Sequence, residues 1–160
     1  MHPYPHTYAV AARGSSDGPV EVTSAGLPPI TTSPPPQFGG PEGVWSPETL
    51  LCAAIADCFV LTFRSISRAA RLDWRSLECH VEGTLERVDA LTRFTRYLTV
   101  ANLTVPDGTD MQKAKSLLER AERHCLVSNS LQGTRVLETR IGTVTQAEPA
   151  LRKAESAAAD

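Results

Sequence analysis

One stretch of sequence, from Ser46 to about Ala70, constrains the fold most, because it predicts a single long apolar helix. Ser46 is a favoured N-cap residue, and Pro47 suits the first helical position, where its missing amide hydrogen costs nothing. Glu48 adds a negative charge in the first turn, which the helix dipole stabilises. The first half of the helix is apolar nearly all round, which is typical of a buried central helix. Its predicted inward stripe comprises Leu51, Ile55, Cys58 and Thr62.

The segment before this helix predicts short strands and turns. Residues 7–12 and 20–23 are mostly apolar and extended in pattern, and residues 14–18 between them have the composition of a turn. Residues 27–43 are rich in proline and glycine, with three consecutive prolines that exclude a helix. This segment is expected to be a surface connection or a loop that enters a site.

The segment after the helix predicts a hairpin, a second helix and a last strand. Residues 77–88 and 94–105 are dominated by strand-forming side chains and meet at a turn around Asp89 and Ala90. A second amphipathic helix is expected to end near His124, and a strand follows over residues 135–144. The predicted fold class is therefore α+β, with antiparallel sheets packed around a long buried central helix.

Length and charge bound the class of protein. The chain has 160 residues and a formal net charge of −2, which fits one domain over residues 1–145 and gives no reason to expect nucleic acid or an anionic membrane as partner. Residues 146–160 are rich in alanine and charge and predict a flexible tail. We find no apolar run long enough to cross a bilayer and no signal-peptide pattern at the N-terminus, so a cytoplasmic location is expected.

The four cysteines are the candidate chemical groups. They are Cys52, Cys58, Cys79 and Cys125, and none forms a CxxC pair. His124 beside Cys125 would make only half of a metal site, so no metal and no cofactor are expected. Cys58 and Cys125 lie on the apolar stripes of their two helices. The pattern alone is compatible with two ordinary core cysteines, since unpaired cysteine is among the most buried residue types.

Two motifs resemble the OsmC/Ohr family, which comprises osmotically inducible and organic hydroperoxide resistance proteins. The residues from Ser46 to Leu51, Ser-Pro-Glu-Thr-Leu-Leu, are similar to the family's helix start before its peroxide-attacking cysteine. The residues from Cys125 to Asn129, Cys-Leu-Val-Ser-Asn, are similar to the family's segment around its resolving cysteine, although Leu126 stands where proline is common. The resemblance extends over about residues 7–144.

The resemblance implies a role for four residues. Cys58 would attack the peroxide and Cys125 would resolve the product as a disulfide. An arginine of the N-terminal hairpin, here Arg13, would activate Cys58, with Glu48 as the partner of that arginine. Ten helical residues separate Glu48 from Cys58, which is about 15 Å. We therefore expect Arg13 and Glu48 to reach the site from a second subunit, in an intertwined homodimer that exchanges residues 1–45.

The predicted function is a thiol-dependent peroxidase that reduces organic hydroperoxides and is regenerated by a dithiol, which the resemblance suggests is a lipoylated protein. Asp57 precedes Cys58, and an ionised carboxylate nearby would raise the pKa of the thiol, although adjacent helical residues point about 100° apart. Two alternatives stay open: a non-catalytic OsmC-like protein that binds a small molecule, and a redox sensor that uses the same disulfide.

Overall fold

The computed structural model describes residues 3–145, which fold into six strands, three α-helices and one short 3-10 helix, Pro36–Phe38, in the proline-rich segment where we expected no helix. The chain divides into two compact units, residues 1–53 and 54–160. The tail predicted over residues 146–160 lies outside the described residues. The prediction of one domain over residues 1–145 therefore stays a prediction. The elements in chain order are β1 (Ala11–Arg13), β2 (Val20–Thr23), β3 (Ile30–Thr32), α1 (Pro47–Ala69), β4 (Ser76–Val88), β5 (Leu91–Pro106), α2 (Met111–His124), α3 (Leu126–Asn129) and β6 (Thr134–Val144).

The first unit contains a three-stranded antiparallel sheet in the order β1-β2-β3. The strand predicted over residues 7–12 is shorter and lies later, at Ala11–Arg13, whereas the one predicted over residues 20–23 is confirmed. Strand β3 lies within the segment expected to be a connection, where its backbone pairs with β2.

Helix α1 begins where the sequence predicts it. The amide of Ser46 donates to the Thr49 hydroxyl at 2.9 Å, and the amide of Thr49 donates back to the Ser46 hydroxyl at 3.2 Å. These two bonds satisfy amides that a helix start otherwise leaves without partners.

The expectation that α1 is buried all round is wrong for the single chain, because the helix buries one stripe and leaves other apolar side chains partly exposed. Of the predicted inward stripe only Ile55 is buried, while Cys58 and Thr62 lie beside the buried residues. The helix also meets the length and composition of a membrane span, with a mean hydropathy of 1.7, so our expectation of no such run is wrong. Core helices of soluble proteins meet the same test. The buried stripe comprises Ile55, Phe59, Phe63 and Ser67.

The second unit is built on a sheet in the order β4-β5-β6. The predicted hairpin is confirmed: β4 and β5 pair antiparallel, and both turn residues, Asp89 and Ala90, have positive φ. Strand β6 pairs parallel to β5, which differs from the expected all-antiparallel sheets. The intervening helix α2 supplies the crossover that a parallel pair requires.

The core of the second unit lies between this sheet and the two long helices. The rings of Phe59 and Phe63 on α1 pack with alternate side chains of β5, such as Ala101 and Leu103. Helix α2 adds Leu118 and other side chains spaced by three and four residues. This core holds α1 and α2 in one unit and so determines where their cysteines lie.

Candidate active site

Cys125 lies at a sharp junction between two helices. It ends α2 with an extended backbone and begins the short helix α3, which the sequence did not predict. Its side chain is fully buried. The carbonyl of Cys125 accepts a hydrogen bond from the Asn129 amide at 3.0 Å, which closes the turn that follows. The sulfur atom is thus held in a fixed position by local backbone structure.

The hydroxyl of Ser128 contacts this sulfur directly, donating a hydrogen bond at 3.2 Å. Burial raises the pKa of Cys125, because it disfavours the thiolate, and the hydrogen bonds from Ser128 lower it again. A cysteine must be deprotonated to act as a nucleophile. Ser128 therefore stabilises the reactive form of a thiol that its surroundings keep protonated.

Cys58 interacts with Cys125, so the structure brings the two predicted cysteines together. Contact with Cys58, through a hydrogen bond and through charge, raises the pKa of Cys125 further. Cys58 is half-buried, and its sulfur also lies 4.0 Å from the Thr62 hydroxyl of its own helix. Of the two cysteines, Cys58 is the more accessible, because Cys125 is buried.

An open groove of about 650 Å³ leads to Cys58. Apolar side chains from α1 and α3, among them Leu61, Ile66 and Leu126, line much of it. Asp57 lines it as well, so the angle of about 100° between adjacent helical side chains does not remove Asp57 from the groove. The groove therefore offers an apolar surface next to a thiol, with a carboxylate at its edge and with two basic side chains from α2, Arg120 and His124.

Arg13 and Glu48 lie in the first unit, and the structure does not join them in an ion pair among the described residues. Arg13 ends strand β1, is exposed, and lies opposite Glu21 of β2. Glu48 lies in the first turn of α1, where one carboxylate oxygen is buried and has no hydrogen-bond partner within residues 3–145. The roles predicted for Arg13 and Glu48 remain predictions.

A second polar cluster lies behind Cys125. Burial raises the pKa of Cys79 on β4 to about 12, and the neighbouring charges of Glu122 and Cys125 contribute to this increase. Burial also raises the pKa of Glu122, whereas Arg135 lowers it through an ion pair of 3.6 Å. Cys79 packs against the core. Its high pKa makes it a poor nucleophile at neutral pH.

Sequence reasoning missed several of these contacts. Ser128 belonged to a quoted motif without an assigned role, and nothing local distinguishes Arg135 from the other arginines of the chain. The interval of four residues between Arg120 and His124 places both on one helix face, a signal that was available. Within residues 3–145, no group of three or more histidine, cysteine, aspartate or glutamate side chains is arranged to hold a metal ion.

Comparison with known proteins identifies the family. The sequence matches the family model described as OsmC-like protein over residues 40–140, and the chain therefore belongs to the OsmC family. The uncharacterized protein YmaD of Bacillus subtilis is 22% identical over 102 residues, which cover 62% of this chain and 68% of that protein. The resemblance predicted from the two motifs is thus confirmed.

Solved structures share the fold. An OsmC-like protein of unknown function from Vibrio cholerae has a TM-score of 0.77 at 18% identity and covers 84% of this chain and 99% of its own. An organic hydroperoxide resistance protein OsmC from Legionella pneumophila has a TM-score of 0.67 at 23% identity, covering 88% and 99%. The organic hydroperoxide resistance protein OhrB of Bacillus subtilis has a TM-score of 0.63 at 21% identity, covering 85% and 98%. The α+β fold is that of OsmC-like proteins.

Proposed function

We propose that this protein is a thiol-dependent peroxidase that reduces organic hydroperoxides to alcohols. The observation that supports it most directly is the contact between Cys58, at the open groove, and the buried Cys125. Two of the similar structures are organic hydroperoxide resistance proteins by name. The apolar lining of the groove suits an alkyl group better than a second hydroxyl, which favours organic peroxides over hydrogen peroxide.

The proposed cycle uses the two cysteines in turn. The Cys58 thiolate attacks the distal peroxide oxygen, the O–O bond breaks, and the leaving alkoxide takes a proton to become the alcohol. Cys58 is then a sulfenic acid. The Cys125 thiolate attacks its sulfur, forming the Cys58–Cys125 disulfide and releasing the hydroxyl group as water after protonation. An external dithiol, for which a lipoylated protein is our candidate, reduces this disulfide by exchange and is itself oxidised.

Activation of Cys58 is assigned to Arg13 and Glu48 of a second subunit in a homodimer. Two exposed apolar side chains at the groove, Leu61 at 48% and Leu126 at 72%, offer a surface for a second subunit to cover. The buried Glu48 oxygen without a partner is suited to accept a hydrogen bond from a guanidinium. A chain that sediments as a folded, active monomer would contradict this arrangement.

The cellular setting follows from the same chemistry. A cycle that ends in reduction by a dithiol requires a reducing compartment, so we expect the protein in the cytoplasm, in an antioxidant stress response. Nucleic acid and membranes have no part in this cycle.

A non-catalytic binding protein is the alternative, and Asp57 in the groove is the observation that favours it. A binding protein tolerates a carboxylate beside Cys58, because it does not need a thiolate nucleophile. A redox sensor that forms the same disulfide without turnover is the other alternative. The number of peroxide molecules reduced per protein separates these functions. An enzyme reduces many, a sensor reduces one and stays oxidised, and a binding protein reduces none.

The test is a peroxidase assay with tert-butyl hydroperoxide and a dithiol. Wild type is expected to turn over repeatedly, and Cys58→Ser is expected to consume no peroxide. In the absence of the dithiol, Cys125→Ser is expected to consume about one equivalent of peroxide and to accumulate the Cys58 sulfenic acid. The matched control is Cys52→Ala, a cysteine of the same helix, which is expected to retain turnover. A folded wild type without turnover would reject the enzyme in favour of the binding protein.

A further inference from the structure

Arg135 on strand β6 makes contacts on both sides of Cys125. Its Nε lies 3.6 Å from a carboxylate oxygen of Glu122, three residues before the cysteine on α2. Its Nη1 donates a 2.6 Å hydrogen bond to the side-chain oxygen of Asn129, four residues after the cysteine on α3. One guanidinium therefore joins the two helices that meet at Cys125.

Asn129 extends this connection back to α2. Its side-chain nitrogen donates a hydrogen bond of 3.1 Å to the carbonyl oxygen of Arg123, in the last turn of α2. The amide of Asn129 also donates to the Cys125 carbonyl at 3.0 Å. The junction is thus closed by side chains as well as by its backbone, and Arg135 and its partner Asn129 supply the side-chain links from α3 to Glu122 and Arg123 of α2.

These contacts lie where an arginine can hold two groups in a fixed geometry. The Glu122 side chain is 14% exposed and that of Arg135 is 33% exposed, so solvent screens the ion pair less than it would at an open surface. The planar guanidinium presents several donors in fixed directions, which allows it to bind a carboxylate and an amide oxygen at once. A lysine in its place would supply one flexible ammonium group.

We infer that Arg135 is a positioning residue for Cys125, fixing the junction of α2 and α3 so that the cysteine faces Cys58. The inference rests on the proposed use of Cys125 as the partner of Cys58. Disulfide formation depends steeply on the relative placement of the two sulfur atoms. A junction free to rotate would spread Cys125 over more positions and lower its effective concentration at Cys58.

The test measures that effective concentration in the whole protein, by equilibrating it with mixtures of reduced and oxidised dithiothreitol and quantifying the Cys58–Cys125 disulfide by mass. Arg135→Gln is expected to lower the equilibrium constant for forming the Cys58–Cys125 disulfide about tenfold. This corresponds to a reduction potential of the disulfide that is higher by about 30 mV. Arg135→Lys is expected to recover part of the loss, since it keeps a charge beside Glu122. The matched control is Arg140→Gln, an exposed arginine of the same strand, for which no change is expected.

A second variant keeps the test decisive if Arg135→Gln does not fold. Asn129→Ala removes the bonds of this side chain to Arg135 and to the Arg123 carbonyl but leaves the ion pair with Glu122, and it is expected to lower the equilibrium constant for disulfide formation about threefold. The loss in the double variant Arg135→Gln/Asn129→Ala is expected to be smaller than the product of the two single losses, because both variants remove the same bond between Arg135 and Asn129. Equilibrium constants within twofold of wild type for the folded variants would overturn the inference.

The outcomes separate this inference from the proposed function. The second-order rate of Cys58 oxidation by peroxide is expected to be the same in wild type and Arg135→Gln, because Arg135 acts on the resolving cysteine only. A wild type that forms the disulfide with dithiothreitol but never turns over peroxide would reject the peroxidase and leave the role of Arg135 standing. Equal losses in Cys58 oxidation and in disulfide formation would show a general loosening and overturn the inference.

Discussion

The hydroxyl of Ser128 donates a hydrogen bond to the sulfur of Cys125 at 3.2 Å, one helical turn after the cysteine. Removing this donor in Ser128→Ala is expected to raise the pKa of Cys125, because the bond stabilises the thiolate against burial. A hydrogen bond to a charged group contributes about 1.5 kcal/mol or more, so disulfide formation at pH 7 should slow by about tenfold. The pH profile of that step, followed after rapid oxidation of Cys58, should shift to higher pH.

The control for this prediction is Ser130→Ala. Ser130 lies two residues further on and donates its hydroxyl hydrogen to the carbonyl of Leu126 at 2.9 Å, without contacting either sulfur. Its removal should leave the pH profile unchanged. Superimposable profiles for Ser128→Ala and wild type would show that the serine has no part in the chemistry of Cys125.

The raised pKa of Cys79 predicts a specific loss of stability at alkaline pH. Burial raises this pKa from 9.0 to about 12, so the unfolded chain loses the thiol proton first as the pH rises. The contribution to stability is complete below about pH 9 and is lost as the pH rises towards 12. The free energy of unfolding of wild type minus that of Cys79→Ala should therefore be about 1–2 kcal/mol smaller near pH 10.5 than at pH 8.

Denaturant unfolding of both proteins under reducing conditions measures this effect. Substitution by alanine also costs packing, but that cost does not depend on pH and cancels when the difference at pH 8 is subtracted. Parallel stability curves between pH 8 and 10.5 would mean that the thiol is not protected from ionisation in the folded state.

Local signals predicted much of the fold. The start of α1 follows from Ser46 and Pro47, which act within one turn, and the hairpin turn at Asp89 and Ala90 was expected where two strand patterns meet. Strand β3 was missed because it has three residues within a proline-rich segment, and its backbone bonds come from β2. The parallel pairing of β6 was missed because pairing direction depends on how the chain returns after α2.

In the candidate site, too, local features were predicted and long-range contacts were not. The sequence predicts Cys58 and Cys125 on apolar helical stripes, but their roles came from resemblance, since core cysteines have the same pattern. The ion pair between Glu122 and Arg135 joins α2 to β6 and leaves no trace in either local sequence. The inward stripe of α1 was wrong because both Phe59 and Phe63 lie on a neighbouring stripe, and large rings gain most from burial in the core.

Phe63 is expected to be one of the most sensitive core positions of the second unit. Its side chain is fully buried, and its ring meets the edge of the Trp74 ring at a centroid distance of 5.5 Å. Phe63→Ala should reduce the free energy of unfolding by about 3–5 kcal/mol, through lost burial and the cavity left behind. Urea denaturation is the measurement, and Leu91→Ala, at a side chain 69% exposed, should cost less than about 1 kcal/mol. Equal losses for both variants would contradict the assignment of the core.

The raised pKa of Glu122 predicts a second pH-dependent change in stability, which falls at acidic to neutral pH rather than at alkaline pH. Burial raises the pKa of Glu122 above 4.5, and Arg135 lowers it only in part, so the folded chain holds the proton at a pH where the unfolded chain has lost it. The stabilising effect of that proton is complete below about pH 4.5 and is lost as the pH rises through the folded-state pKa. At neutral pH the buried carboxylate keeps one oxygen without a partner within residues 3–145.

Glu122→Gln removes this charge, and its stability relative to wild type should therefore improve as the pH rises from about 4 to 7. A buried charged group that lacks a hydrogen bond costs about 1–3 kcal/mol, and this sets the expected size of the change. The ion pair with Arg135 forms in wild type only as Glu122 ionises, so it opposes this trend, but the cost of burial outweighs it and sets the direction. Glu119→Gln on the same helix, outside this ion pair, is the control. A pH-independent difference between Glu122→Gln and wild type would show that Glu122 is ionised without cost, with solvent reaching the oxygen that the structure buries.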